Sequence, residues 1–372
     1  MKKILLMSFE YPTGKTYCGG VGQIVKQSRS TLLGLGYEVY VLISSGFQKK
    51  HPVKLLLPDN SLLRYPNFWS FQKEYDLCSF NYIIQHFVNW TKVLKEIKSL
   101  RGLRPKIIYH FHSILRREKD SGFKTFNQFL LSQERMIKIA DKIICPSRYE
   151  YDNFMRYFPY LSEKAILIEN TIEFFPLQKE VVRDISIRHG IRKGDIVSIY
   201  VGRLERIKGA DTIIKNLPRI LNRYKHLKIF MIGKVLERNL YRKLKKQQKR
   251  FPRQFFYIRY LEKKMLFQYY YLSHIYINTS LSESFSLSTH ESAFCNNALL
   301  LNSLPVFDKF KNAALFFSNH DTDGNGFISR YEQLIKDSQL RIKLSNKAEK
   351  IIKDFLAQDR LKEDFSELFN KL

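Results

Sequence analysis

KILLMSFEYPTGKTYCGGVGQIVKQSRSTLLGLGYEVYVLIS, residues 3–44, decides the architecture of this chain. Lys3–Ser8 is a short apolar run of the kind that lies buried in a parallel sheet. The loop Tyr11–Gly22 after it carries Gly14, Gly19, Gly20 and Gly22. Ile24, Val25, Leu32, Leu33 and Leu35 then form the apolar face of a helix that Gly36 ends, and Glu38–Ser44 reads as a buried strand. Strand, glycine loop, helix, strand is the opening of a doubly wound parallel sheet.

The alternation continues outward from that start. Lys106–His110, Lys142–Cys145 and Ala165–Ile168 read as further strands, with a helix over Phe126–Ala140. It then begins again: strand Ile196–Val201, helix Gly209–Tyr224, strand Leu227–Ile232, helix Leu236–Arg250. Strands Phe255–Ile258, His274–Asn278 and Ala298–Leu301 follow, with a helix around Glu291–Asn296 and a helix start within Ala314–Leu334. A chain of 372 residues exceeds one ordinary core. The expectation is α/β: two Rossmann-like parallel-sheet domains, 1–176 and 177–355, with a cleft between them. Residues 356–372 are expected to form a C-terminal helix packing back on the first domain.

Composition excludes several classes. A hydrophobic content of 44% is too high for a disordered chain. No run of 18 apolar residues offers a spanning helix, and Glu10, Pro12 and Lys15 interrupt the N-terminal run too early for a signal peptide. A cytoplasmic protein is expected. Cys18, Cys78, Cys145 and Cys295 have neither zinc nor disulfide spacing. Sixty-three Lys plus Arg against 35 Asp plus Glu leave a net charge of +28, which favours an anionic partner without choosing one.

The chemistry-bearing signals lie mostly in the second half. Glu283 and Glu291 stand eight positions apart, between an apolar strand and an alanine-bearing helix. If that helix begins near Ser286, its free N–H groups face whatever lies in front of the loop and favour an anion there. Carboxylates beside it can accept hydrogen bonds from sugar hydroxyls. Some eighty residues earlier, Gly202-Arg203-Leu204-Glu205-Arg206-Ile207-Lys208-Gly209 directly follows a strand. Fixed cations in such a loop would stabilise negative charge developing on a leaving group. Gly19 and Gly20 allow backbone N–H groups to approach a phosphate or an acceptor. Tyr109-His110-Phe111-His112-Ser113 ends another strand.

Together these segments resemble the retaining glycosyltransferases of the GT-B fold (glycosyltransferase family 4-like, glycosyl transferases group 1). Glu283, Phe285, Glu291, Ala293 and Cys295 match the E-x7-E signature, residues 202–209 match G-R-L-x-x-x-K-G, and His112 falls in an H-x-H-like element. The resemblance implies transfer of a sugar from a UDP- or GDP-linked donor to a glycan or lipid-linked acceptor, with no metal. It implies that Glu283 lies by the donor sugar and Glu291 binds the ribose. It puts Arg203 and Lys208 on the diphosphate, with Gly19, Gly20, Phe285, Ser286 and Leu287 around the nucleotide and His112 on the sugar or acceptor. The sequence departs from the family at Ser286 and Asn296, both glycine there, and at Thr171 and Glu173.

Two signals compete with this reading. Asp321–Glu332 fits an EF-hand loop, which would offer calcium Asp321, Asp323, Asn325 and Glu332. The alternative function is therefore a non-catalytic GT-B partner or scaffold protein that responds to calcium. The basic stretch Lys234–Lys264, with Leu236, Leu240 and Leu244 at helical spacing, suits an anionic membrane surface. A peripheral position on the inner face of the cell membrane would follow. No motif supports a specific nucleic-acid partner.

Overall fold

The structure, a computed structural model, describes residues 1–12, 18–44, 51–88, 90–100, 102, 104–318, 326–356 and 360–372. It divides into two compact units, Met1–Thr171 with Asp359–Leu372, and Ile172–Gln358.

The first unit opens with β1 (Lys3–Ser8), α1 (Gly20–Gly34), β2 (Glu38–Ser44), β3 (Val53–Leu56), β4 (Leu62–Tyr65), α2 (Phe68–Glu74) and β5 (Tyr82–Gln85). It continues with α3 (Thr91–Ser99), β6 (Lys106–His110), α4 (Leu115–Asp120), α5 (Asn127–Ile139), β7 (Lys142–Cys145), α6 (Arg148–Tyr157) and β8 (Ala165–Leu167). The sheet runs β4-β3-β2-β1-β5-β6-β7-β8. From β2 to β8 the neighbours are parallel. Alternate side chains of β1 enter opposite layers, as the pleat requires. Ile4 and Leu6 join Val25 and Leu32 of α1, while Leu5 and Met7 join Phe68, Phe71, Trp90 and Met136.

Strands β3 and β4 were not foreseen; β3 pairs antiparallel with β2, and β4 pairs antiparallel with β3 to form the sheet edge. Each has four residues, too short for a period to show. Asn60 turns the hairpin at φ 72°, a left-handed conformation that asparagine tolerates. Arg29 of α1 clamps the turn, donating to Asn60 Oδ1 at 3.0 Å and to the Leu57 carbonyl at 2.8 Å.

The second unit comprises α7 (Lys179–Arg188), β9 (Ile196–Val201), α8 (Ala210–Arg223), β10 (Leu227–Ile232), α9 (Arg238–Arg250), β11 (Phe255–Ile258) and α10 (Lys263–Leu272). Then come β12 (Ile275–Asn278), α11 (Leu287–Phe294), β13 (Ala298–Asn302), β14 (Ala314–Phe317), α12 (Phe327–Lys336) and α13 (Ser338–Leu356). Its sheet, β11-β10-β9-β12-β13-β14, is parallel throughout. Every residue of β10 and β13 is buried, as expected where helices cover both faces. Ala314–Phe317, read above as leading into a helix, is an edge strand, and the helix begins at Phe327. Strand order reverses between β9 and β12, so a crevice opens at their carboxyl ends.

Helix α9 corrects part of the sequence reading. Leu240 and Leu244 are core residues, whereas Leu236 precedes the helix and is 47% exposed. The apolar stripe is thus already used for packing. What faces outward is cationic: Arg238, Arg242, Lys243, Lys245, Lys246, Lys249 and Arg250, on a helix without a single carboxylate. Among the described residues no helix is long and apolar enough to cross a membrane.

The last helix, α14 (Arg360–Asn370), belongs to the first unit. Phe365, Leu368 and Phe369 join the layer containing Ile4, Leu6 and Leu32. The Phe369 ring lies 4.4 Å from that of Tyr82, and Arg360 pairs with Glu169 at 3.0 Å. Phe365 is only 1% exposed. Phe365→Ala is therefore expected to remove about 3–5 kcal/mol from the first unit. A calorimetric scan should show a clear fall in one melting transition; unchanged transitions would contradict this packing.

Candidate functional site

The crevice of the second unit is built by two loops pressed together. Gly209, at φ 64°, ends the loop after β9; a Cβ there would sit 1.8 Å from the Thr279 carbonyl oxygen. Only glycine permits both that conformation and that approach. Thr279 Oγ1 donates to the Gly209 carbonyl at 2.8 Å, and Leu281 N–H donates to the Ile207 carbonyl at 2.8 Å. From the β9 side, the Tyr200 hydroxyl lies 3.1 Å from the Arg203 carbonyl and 3.2 Å from that of Lys208.

This joint brings two predicted residues together. Lys208 Nζ stands 2.9 Å from Glu283 Oε2, with the two side chains 22% and 11% exposed. Ser280 Oγ donates to the other carboxylate oxygen of Glu283 at 2.7 Å. Arg203 is placed differently: its guanidinium is half exposed and pairs with Glu205 at 3.0 Å.

Helix α11 begins at Leu287 with no side chain capping its N-terminus. Its first N–H groups are therefore open to an acceptor. Ser286, the residue before it, has φ 68° and ψ 77°. That left-handed conformation explains why the resembled family has glycine there, and it costs a serine on the order of 1–3 kcal/mol. The hydroxyl offsets part of the strain, lying 3.2 Å from Asn278 Nδ2 and 2.8 Å from Thr289 Oγ1. Asn296, the other departure, also sits at positive φ, 59°. Asparagine fills such helix-ending positions with little penalty. Phe285 stacks on His290 at 4.0 Å, under the ammonium of Lys309.

Glu291 is 2% exposed. One carboxylate oxygen is paired with Lys263 Nζ, and the other accepts from the Tyr270 hydroxyl at 3.2 Å. Neither partner was legible in the sequence, because α10 and α11 meet only in the folded unit. One signal was available: a lysine opening a helix sits at the positive pole, which disfavours it without a nearby anion.

In the first unit, Gly19 N–H and Gly22 N–H donate to the two carboxylate oxygens of Glu10, at 2.9 and 3.1 Å. A Cβ on Gly19 would come within 2.8 Å of that carboxylate. Gly20 is the exposed first residue of α1. His112 lies just beyond β6, its Nε2 3.3 Å from Nδ1 of His86, and the His110 ring is 4.9 Å from that of His112. Burial pushes all three imidazoles below their ordinary value, so they stay neutral at pH 7. His86 was missed: it is distant in sequence from the H-x-H-like element, and only the β5–β6 pairing brings them together.

Of the calcium candidates, Asp321, Asp323 and Asn325 lie outside the described residues. Glu332 pairs with Arg223 at 2.8 Å. Among the described residues no group of three or more His, Cys, Asp or Glu side chains could hold a metal ion.

Residues 181–351 match the family Glycosyl transferases group 1, and residues 18–174 match Glycosyltransferase Family 4. None of the curated proteins matches the chain in sequence. Among solved structures, the chain is similar to sucrose-phosphate synthase from Thermosynechococcus elongatus. That match has a TM-score of 0.78 at 13% identity, covering 100% of this chain and 99% of the other. The catalytic domain of starch synthase IV from Arabidopsis thaliana, bound to ADP and acarbose, gives 0.73 at 12% identity, covering 100% and 99%. Anabaena HepE in complex with UDP-glucose gives 0.71 at 16% identity, covering 100% of both chains.

The geometry at Ser286 yields an expectation about stability. Ser286→Ala keeps the left-handed strain and loses the hydroxyl's bonds, a loss of about 1–3 kcal/mol. Ser286→Gly loses the same bonds but relieves the strain. The glycine variant should melt above the alanine variant, and the reverse order would contradict this account.

Proposed function

The chain belongs to the glycosyltransferases of the GT-B fold, and on that premise we propose a retaining hexosyltransferase. It moves a sugar from a UDP- or GDP-linked donor to a glycan or lipid-linked acceptor in surface polysaccharide or glycoconjugate synthesis. The observation that supports this reading is the Lys208–Glu283 pair at the strand-order reversal. It joins one residue from each of the two matching motifs, where parallel sheets of this kind place ligands.

Each group then has a role that its chemistry suits. The diphosphate lies against Lys208, Arg203 and the open N-terminus of α11, at Phe285, Ser286 and Leu287. Glu283 accepts from hydroxyls of the donor sugar, and Glu291 from those of the ribose. To His112 we assign a contact with the sugar or acceptor, and to Gly19 and Gly20 a place on the nucleotide or acceptor path. The acceptor hydroxyl attacks the anomeric carbon on the face from which the nucleotide departs. The bond from that carbon to the phosphate oxygen breaks as the new glycosidic bond forms, and the departing phosphate oxygen takes the acceptor's proton. Negative charge grows on the diphosphate during this step. Lysine and arginine held by the fold can balance it without reorganising, so no metal is needed in this scheme.

The test is slow hydrolysis of a panel of UDP- and GDP-sugars. Wild type should hydrolyse at least one donor, unaffected by EDTA. Lys208→Met should lower kcat by about 10²-fold. Complete loss of activity in chelator would defeat the metal-free scheme. A non-catalytic scaffold would show neither hydrolysis nor thermal stabilisation by UDP or GDP.

For the acceptor side we propose peripheral contact with an anionic membrane surface through α9. Its apolar residues are buried, so attraction is electrostatic rather than insertion. Lysines and arginines near an anionic surface contribute roughly 1 kcal/mol each. Sedimentation with phosphatidylglycerol vesicles should be strong at low salt and absent at about 1 M, where the Debye length is about 3 Å. Replacing Lys245, Lys246, Lys249 and Arg250 by Gln should weaken it at least tenfold. Equal sedimentation with zwitterionic vesicles would overturn the proposal.

A further inference from the structure

Among the described residues, Lys263 is one of two groups that engage the carboxylate of Glu291. It opens α10, at the carboxyl edge of the sheet where β11 has just ended. Its ammonium meets one oxygen of Glu291, and the Tyr270 hydroxyl, from the same helix, meets the other. Beneath the lysine stem the Phe267 ring sits 5.9 Å from the ammonium. Side-chain exposure is 19% for Lys263 and 3% for Glu291, so water screens the pair weakly.

The arrangement is asymmetric in what it requires. A cation at the first position of a helix opposes the helix dipole, and the carboxylate next to it in sequence, that of the N-cap Glu262, makes no capping hydrogen bond. Glu291, from another helix, supplies that compensation. Conversely, a carboxylate this buried needs donors to satisfy its oxygens. Each carboxylate oxygen can accept two hydrogen bonds. With Lys263 and Tyr270 taking one each, one acceptor direction per oxygen is left. Two acceptor sites on a fixed anion suit a vicinal diol.

We propose that Lys263 is a positioning residue for nucleotide recognition. It fixes the plane of the Glu291 carboxylate so that this group selects the 2′- and 3′-hydroxyls of the donor ribose. This rests on the reading of Glu291 as the ribose ligand. Arginine can replace the charge and the contact; methionine fills the space and supplies neither. The groups facing the pair are Tyr270 and Cys295, the residue that ends α11.

The experiment compares binding of UDP and GDP with binding of their 2′,3′-dideoxy forms, by calorimetry, in wild type, Glu291→Gln, Lys263→Met and Lys263→Arg. Wild type should prefer one ribonucleotide over its dideoxy form by at least about tenfold. Lys263→Met should lose most of that preference while binding the dideoxy form as wild type does, and Lys263→Arg should recover it. With the matching sugar nucleotide, Lys263→Met should raise KM and leave kcat within a few-fold. If Lys263→Met weakens both nucleotide forms equally, or keeps the full preference, the positioning role is refuted. If wild type and Glu291→Gln show no preference between the forms, the ribose reading of Glu291 fails instead.

Discussion

Everything in the second unit's crevice depends on how closely two backbone segments approach. Gly209 lies against the Thr279 carbonyl with no room for a single extra carbon. Gly233 does the same against the Gly202 carbonyl, where a Cβ would come within 1.9 Å. These two contacts draw the loop after β9 down onto its neighbours. Without them, Lys208 and Glu283, 75 positions apart, would have no fixed separation. The glycines thus set a distance between charges as well as a turn.

That distance shapes the electrostatics of the crevice. Lys208 and Arg203 are each held by a carboxylate, Glu283 and Glu205. A diphosphate carries more negative charge than either and can draw both cations to itself. In the scheme proposed above, once the diphosphate leaves, the same carboxylates would keep the cations from being stranded in a partly buried crevice, where an unpaired charge is unfavourable. The histidines at the ends of β5 and β6 represent the opposite solution. There, burial keeps three imidazoles neutral and packed on one another instead of charged and paired.

Much of the fold could be read from short patterns. Lys106–His110 and Ile196–Val201 are strands over those very residues, because β-branched runs bounded by polar residues have few other uses. Val53–Leu56, Leu62–Tyr65 and Tyr82–Gln85 were not seen, since four residues show no period and their pairing comes from distant partners. At the site, Lys208 and Glu283 were candidates through the motifs in which the chain resembles the family. Lys263, Tyr270, Glu10 and His86 were not, because each acts across a contact between elements that no local pattern encodes. The left-handed backbone at Ser286 and Asn296 shows what family glycines at these positions are for. The sequence displays the substitution, and only the dihedral angle displays its reason.

The return of α14 to the first unit orders events during synthesis. Ile4 and Leu6 leave the ribosome long before the aromatic side chains that cover them, Phe365 and Phe369. The amino-terminal half is therefore translated with one flank of its sheet still wet, while the intervening half can close on its own residues. Domains made first ordinarily finish first. Here the first-made unit is sealed only after the second has been made, and the arrival of Phe365 and Phe369 is the step that completes it.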